Sequence, residues 1–300
     1  MNLQQKLENA VKDERGTFGV AVKHLGTKEE ANINEGRLFQ MASSFKVPIL
    51  TTLYRDVEAG KIRLDERVKL KWEERVPGSG VLQQLDPEAE VSVKDMATLM
   101  IIVSDNYATD RVLDLVGGPK QVEAYMKEQG LNHILVKQSC WDLLTQVVGM
   151  EPQPVSAEGY DTFLKTVEIA VTSGYDQKIN DVDLTSTEHN VASPRDMGKL
   201  LEMIAQKEML SESSSNGVLD IMLKQQFRNR IPYLLPEQVK VAHKTGSIGS
   251  VVNDVGIVYL PEEKGIFTIA VFSQGNSFRR EGEQAIARLA KAAYDHFMGN

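Results

Sequence analysis

The apolar positions of this chain change their period twice. Leu3, Leu7 and Val11 share one side of an N-terminal helix. Phe18, Val20 and Val22 then alternate through TFGVAVKHL (17–25), the period of a half-buried strand. A polar turn around Gly26 leads to a second short strand over 30–34, completing a hairpin. From residue 43 the pattern turns helical. DMATLMIIVSDNYATDRVLDLVG has helical spacing broken near Ser104, and VEAYMKEQG closes on Gly130, as helix C-termini often do. SAEGYDTFLKTVEIAVTSG (156–174) predicts another helix capped by Ser156. In SPRDMGKLLEMIAQ, Pro194 suits a first helical position.

The strand period returns only near the end, in VKVAHKTG (239–246), NDVGIVYLP (253–261) and GIFTIAVFSQG (265–275). A final helix over 278–297 puts Ala285, Ile286, Leu289 and Ala293 on one apolar side. This segregation predicts an α+β fold, with an antiparallel five-stranded sheet flanked by the terminal helices and drawn from 1–40 and 227–300. An all-helical domain over 41–226 is expected between the two ends.

Composition narrows the function classes. The chain is 42% hydrophobic and 25% charged, as an ordinary globular protein is. A net charge of -8 without a basic block argues against nucleic acid as a partner. No apolar run reaches the roughly 20 residues that cross a bilayer, so no membrane span is expected. The first residues lack the features of an export signal. The expected location is therefore cytoplasmic, or secreted or cell-envelope if such a signal has been removed. The single cysteine, Cys140, allows no intrachain disulfide, and the five histidines show no metal spacing. Neither a metal nor an organic cofactor is expected.

Ser43 and Lys46 in MASSFKVPIL stand one helical turn apart, where an amine can reach a nucleophilic hydroxyl. A Ser-x-x-Lys pair alone arises by chance roughly once in a chain of this length. Ser104-Asp105-Asn106 at the helix break and Lys244-Thr245-Gly246 at a strand end change its weight. All three in this order have a chance below about one in a hundred. Together they are the signature of class A β-lactamases and penicillin-binding proteins, and the chain resembles the class A β-lactamase family. Gly117-Gly118-Pro119, Ser193-Pro194 and Asn253-Asp254 extend the resemblance over most of the sequence.

The resemblance implies a β-lactamase/transpeptidase-like fold, with the active site between its two parts, and a small-molecule substrate such as a β-lactam or an acyl-D-alanyl amide or ester. A monomer is expected. Ser43 would form the acyl-enzyme. Lys46 would take its proton, directly or through water. Ser104 would pass a proton to the leaving nitrogen, with Lys244 holding it. Asn106 would donate to a substrate amide, and the backbone N–H groups of Ser43 and Ser247 would form the oxyanion hole. A cation beside Thr245 is needed for the substrate carboxylate. Arg230 in RNRIPYLLP matches the family's alternative arginine, while Arg279 and Arg280 are weaker candidates.

One departure concerns the second half of the chemistry. The family's deacylating glutamate is not visible, and counting from Gly117-Gly118-Pro119 puts its place on or near Cys140. The stretch from Cys140 to Ser193 is several times the family's compact loop. Asp142 and Glu188 are the carboxylates that could substitute. Two other outcomes therefore stand beside β-lactam hydrolysis: a penicillin-binding-type D-alanyl peptidase or esterase, and a slowly deacylating β-lactam binder.

Overall fold

A computed structural model describes residues 1–172 and 186–299. Ser173 and Gly174, the end of one expected helix, lie outside the described residues. The described helices are α1 (Leu3–Val11), α2 (Lys46–Glu58), α3 (Val93–Ile102), α4 (Asn106–Leu115), α5 (Pro119–Glu128), α6 (Cys140–Val147), α7 (Ala157–Thr172), α8 (Pro194–Gln206), α9 (Glu212–Met222) and α10 (Arg279–Met298). The strands are β1 (Thr17–His24), β2 (Glu30–Ile33), β3 (Phe39–Gln40), β4 (Arg67–Lys69), β5 (Glu90–Ser92), β6 (Ile134–Leu135), β7 (Val191–Ala192), β8 (Val241–Ile248), β9 (Val251–Tyr259) and β10 (Ile266–Gln274).

The five long strands form one antiparallel sheet in the order β2-β1-β10-β9-β8. Both ends of the chain build it, as the two strand-period regions predict. Alternation sends Phe18, Val20 and Val22 of β1, with Ile269 and Val271 of β10, into a core shared with Leu3, Leu7, Ala285, Ile286 and Leu289 of the terminal helices. The opposite face, with Ala242, Val255, Ile257 and Phe272, joins a second core containing Met197, Leu200 and Leu201 of α8. Thus α8 lies on the sheet, packed against β1, β9 and β10, and α9 meets its β8 edge, while the remaining central helices extend the second core.

Short strands that the periodicity did not predict lie within or beside the helical stretch. β4 pairs with β5, and β3, β7 and β6 form a three-stranded ribbon. Each has only two or three residues, too few to display alternation. The expected break at Ser104 is real: α3 ends at Ile102, α4 begins at Asn106, and Ser104 itself has φ +57°. Pro194 opens α8 behind a Ser193 N-cap. The long region after Cys140 is fastened by aromatic contacts. The Arg75 guanidinium lies over the rings of Trp72 and Tyr160, and the Tyr160 hydroxyl meets Gln83 Oε1 at 2.9 Å.

Candidate active site

Ser43 lies in a 3₁₀ turn (Ala42–Phe45) that runs directly into α2. The turn begins at Ala42 with φ +44°, a conformation that non-glycine residues rarely adopt. It is held from several sides. Asn253 on β9 donates from Nδ2 to Gln40 O and Met41 O at 2.8 and 3.0 Å, and the Met41 N–H donates to Asn190 O. The hydroxyl of neighbouring Ser44 turns inward to Met41 O at 2.7 Å and is fully buried. Ser43 remains half-buried and lines a cleft of about 270 Å³.

Gly246 explains how β8 comes so close to this turn. A Cβ at Gly246 would lie 2.6 Å from Met41 O, 2.9 Å from Ser44 N and 3.0 Å from Ser43 N. Only a residue without a side chain lets the strand run alongside the nucleophile's backbone N–H. The glycine of the Lys-Thr-Gly triplet is therefore a packing requirement of the site.

The two lysines meet at Ser104. Lys46 Nζ donates to Ser104 O at 2.8 Å, Ser104 Oγ at 3.1 Å and Asn106 Oδ1 at 2.8 Å. Lys244 Nζ donates to Ser104 Oγ at 3.0 Å and Thr245 O at 2.7 Å. Both side chains are fully buried. Burial lowers the pKa of Lys46, opposed by the nearby carboxylates of Asp105 and Asp110. Burial, and then the neighbouring charge of Lys46, holds Lys244 well below the usual lysine range. Burial thus eases the loss of a proton from Lys46, the form in which a lysine can act as a base.

The Ser104 loop is tied down by residues with no role in the sequence reading. Asp105 caps α4 through Ala108 N and accepts from Val81 N and Leu82 N at 2.6 and 2.8 Å. Ser79 Oγ donates to Ser104 O at 2.8 Å. Asn106 Nδ2, expected to meet a substrate amide, donates to Pro77 O at 2.9 Å. Its Oδ1 accepts from Lys46 Nζ and so holds that lysine.

Thr245, Ser247 and Arg279 line the cleft with Ser43, Ser104 and Asn106. Arg230 lies behind that wall, 1% exposed. Its guanidinium donates to Gly246 O at 2.8 Å, Asn253 O at 2.5 Å, Ser247 Oγ at 2.6 Å and Glu283 Oε1 at 3.2 Å. It touches the Lys-Thr-Gly strand but not the open cleft, where Arg279 stands. His243 lies apart, with Nδ1 2.9 Å from Asp254 Oδ1 in the core.

The start of α6 reaches the cleft through Cys140, Leu143 and Leu144. Asp110 on α4 holds it there, accepting from Cys140 N at 2.7 Å and Trp141 N at 2.9 Å. Burial pushes the Asp110 carboxyl up to about 7, despite those two donors and the nearby Lys46. Burial also pushes the Cys140 thiol up, so it stays protonated at neutral pH. Asp142 completes the α6 capping box with Ser139 and is exposed, while Glu188 sits in an exposed turn. Neither lines the cleft. Among the described residues no carboxylate does, and none form a cluster of three or more metal-ligating side chains.

Comparison with known proteins agrees with this architecture. PER-1, an extended-spectrum beta-lactamase of Pseudomonas aeruginosa, is 26% identical over 97% of this chain and 86% of its own. The beta-lactamase structure from Sphaerobacter thermophilus is 27% identical, with TM-score 0.78, covering 98% of this chain and 96% of that one. A mutant of PBP-A, solved as an acyl-enzyme complex with penicillin G, is 26% identical with TM-score 0.77, covering 99% and 96%. The family model described as Beta-lactamase enzyme family matches residues 2–297. With the three motifs gathered around one cleft, the chain belongs to the beta-lactamase enzyme family as a class A-type serine hydrolase.

Proposed function

We propose that this protein opens β-lactam rings by acylation at Ser43 and hydrolyses the resulting ester slowly. The observation that carries this reading is the convergence of buried Lys46 and Lys244 on Ser104 Oγ, on a cleft shared with Ser43. In its neutral form Lys46 takes the Ser43 proton as Oγ attacks the ring carbonyl. The backbone N–H groups of Ser43 and Ser247 receive the developing oxyanion, a contribution of about 3–4 kcal/mol per donor in comparable sites. The C–N bond then breaks, Ser104 gives its proton to the departing nitrogen, and Lys46, hydrogen-bonded to Ser104 Oγ, returns the proton it took from Ser43. Lys244 holds Ser104 and contributes positive potential. Thr245, Ser247 and Arg279 receive the substrate carboxylate, with Arg230 orienting the Ser247 hydroxyl from behind. Asn106 holds Lys46 and can meet the substrate amide only by giving up Pro77 O.

This work takes place between a sheet domain (1–40 and 227–300) and a helical domain (41–226). No second protein is needed, and the acting unit is a monomer.

A second reading, a penicillin-binding-type peptidase or esterase, is favoured by Cys140. A protonated thiol on an apolar helix face gives the ester no base to activate water. Mixing the protein with a chromogenic cephalosporin, while following product and intact mass, separates the readings. Slow sustained turnover that Ser43→Ala abolishes supports hydrolysis. A single stoichiometric burst with persistent added mass favours the peptidase or binder. The absence of both product and adduct would overturn β-lactam chemistry.

A further inference from the structure

The cleft carries an uncharged helix face as well as groups suited to an anion. Cys140, Leu143 and Leu144 occupy positions i, i+3 and i+4 of α6, so one helix face turns toward Ser43 with no charge on it. Phe45, Phe227 and Ile248 add apolar surface to the same cleft. The groups suited to an anion are Thr245 and Ser247 on β8 and Arg279 at the start of α10, with Arg230 behind Ser247. Ser43 therefore serves a substrate with one anionic end and one greasy end.

We infer that the acyl part of the substrate is apolar, an aromatic or branched aliphatic group seated on the α6 face, and that acyl parts bearing a charge there are rejected. This rests on acylation at Ser43, as proposed above. The physical basis is asymmetric. Apolar surface laid on Leu143 and Leu144 gains by leaving water, whereas a carboxylate or ammonium there loses its hydration and finds no described side chain of opposite charge on α6's cleft face. Differences of a single methylene in such pockets are worth roughly tenfold or more in specificity.

Three penicillins with one nucleus test this. Benzylpenicillin carries a phenylacetyl chain, carbenicillin adds a carboxylate beside that ring, and 6-aminopenicillanic acid lacks the chain. Acylation rates are read by intact mass and by competition with a fluorescent penicillin. At low and high salt alike, benzylpenicillin should acylate at least ten times faster than either of the others. High salt separates local rejection from repulsion by the net charge of -8. Leu144→Asn should shrink that preference, while the volume-conserving Leu144→Met should retain it. Carbenicillin reacting at a rate equal to benzylpenicillin's in the wild type overturns the inference, whether or not Leu144→Asn folds. An absence of adduct with all three compounds overturns acylation itself, and the inference falls with it.

Discussion

Lys46 and Lys244, on different elements and almost two hundred residues apart, place their ammonium nitrogens 3.1 and 3.0 Å from the same oxygen, Ser104 Oγ. A hydroxyl oxygen has two lone pairs and one proton. With both amines donating, the Ser104 proton is left to point elsewhere, and the cleft is the direction in which a leaving nitrogen would wait. Two cations enclosed around one hydroxyl are costly unless one gives up its proton, and both lysine pKa values are driven down.

The first prediction is the pH dependence of acylation. The base is the neutral form of Lys46, so the acylation rate should climb with pH and level off below pH 10.5. That value is the ordinary lysine pKa, below which burial shifts Lys46. Lys46→Ala should slow acylation by about 10²-fold or more. Single-turnover rates between pH 5 and 10 test both. An ascending limb still steep at pH 10 would contradict the neutral-amine mechanism.

Gly246→Ala tests whether the close approach of β8 sets the site. The added methyl would meet backbone atoms of Met41, Ser43 and Ser44, none of which can rotate away. Acylation should fall by about 10²-fold, the scale of losing one oxyanion donor. Thermal unfolding should also drop by several degrees as the strained turn shifts. Wild-type acylation in this variant would show that the turn tolerates displacement.

Much of this site was legible because its chemistry is compact in sequence. Ser-x-x-Lys, Ser-Asp-Asn and Lys-Thr-Gly each put reacting groups within four residues, and the structure places all three on one cleft. What could not be read is what depends on side-chain direction. Arg230 in RNRIPYLLP matches the family's alternative carboxylate-binding arginine, but spacing cannot show that its guanidinium runs beneath the strand to Gly246 O and Asn253 O. Asp105 reads in the sequence as a motif letter, yet two of its three backbone donors, Val81 N and Leu82 N, come from a distant segment and the third from the start of α4. The sheet was legible because its strands are long enough to alternate, and the two-residue strands were not.

Asp142 illustrates the same limit. Its position near the expected glutamate made it a candidate base, yet its carboxylate accepts from Ser139 N and Ser139 Oγ at 3.1 and 2.8 Å. Its work is to start α6. Asp142→Asn should leave the lifetime of the acyl-enzyme unchanged and cost about 0.5–1 kcal/mol of stability, as helix-cap changes do. Denaturant unfolding and adduct decay followed by mass measure the two effects. A markedly longer-lived adduct would restore Asp142 as a base.

Cys140 lines the cleft, on or near the position where the sequence count puts the family's deacylating glutamate. Cys140→Glu supplies a carboxylate on the cleft wall, near Lys46, and should shorten the acyl-enzyme lifetime by about tenfold or more, towards the roughly 10²–10⁴-fold of a well-placed general base. Cys140→Ala should leave the lifetime as in the wild type, since a protonated thiol contributes no base. Decay of the benzylpenicillin adduct by intact mass distinguishes them. Equal lifetimes in all three proteins would place the barrier to hydrolysis elsewhere.

Asp110 links this wall to stability. Its two oxygens satisfy the first two N–H groups of α6, and Ser139 satisfies the third. A little of the residue reaches the surface, but its carboxyl is enclosed, and burial raises its pKa from 3.8 to about 7. Because the folded value is the higher one, the folded state binds the extra proton between those two pH values. Its contribution to stability is therefore complete below the unfolded pKa and is lost as pH rises through the folded one. The slope is at most about 1.4 kcal/mol per pH unit within that window and vanishes above it. Asp110→Asn removes the titration but offers one acceptor where α6 presents two donors. The variant should be less stable than the wild type at pH 5, with the gap narrowing by about 1 kcal/mol or more at pH 8. Urea unfolding of both proteins at the two pH values measures this, and a constant gap would show that Asp110 is already ionised at pH 5.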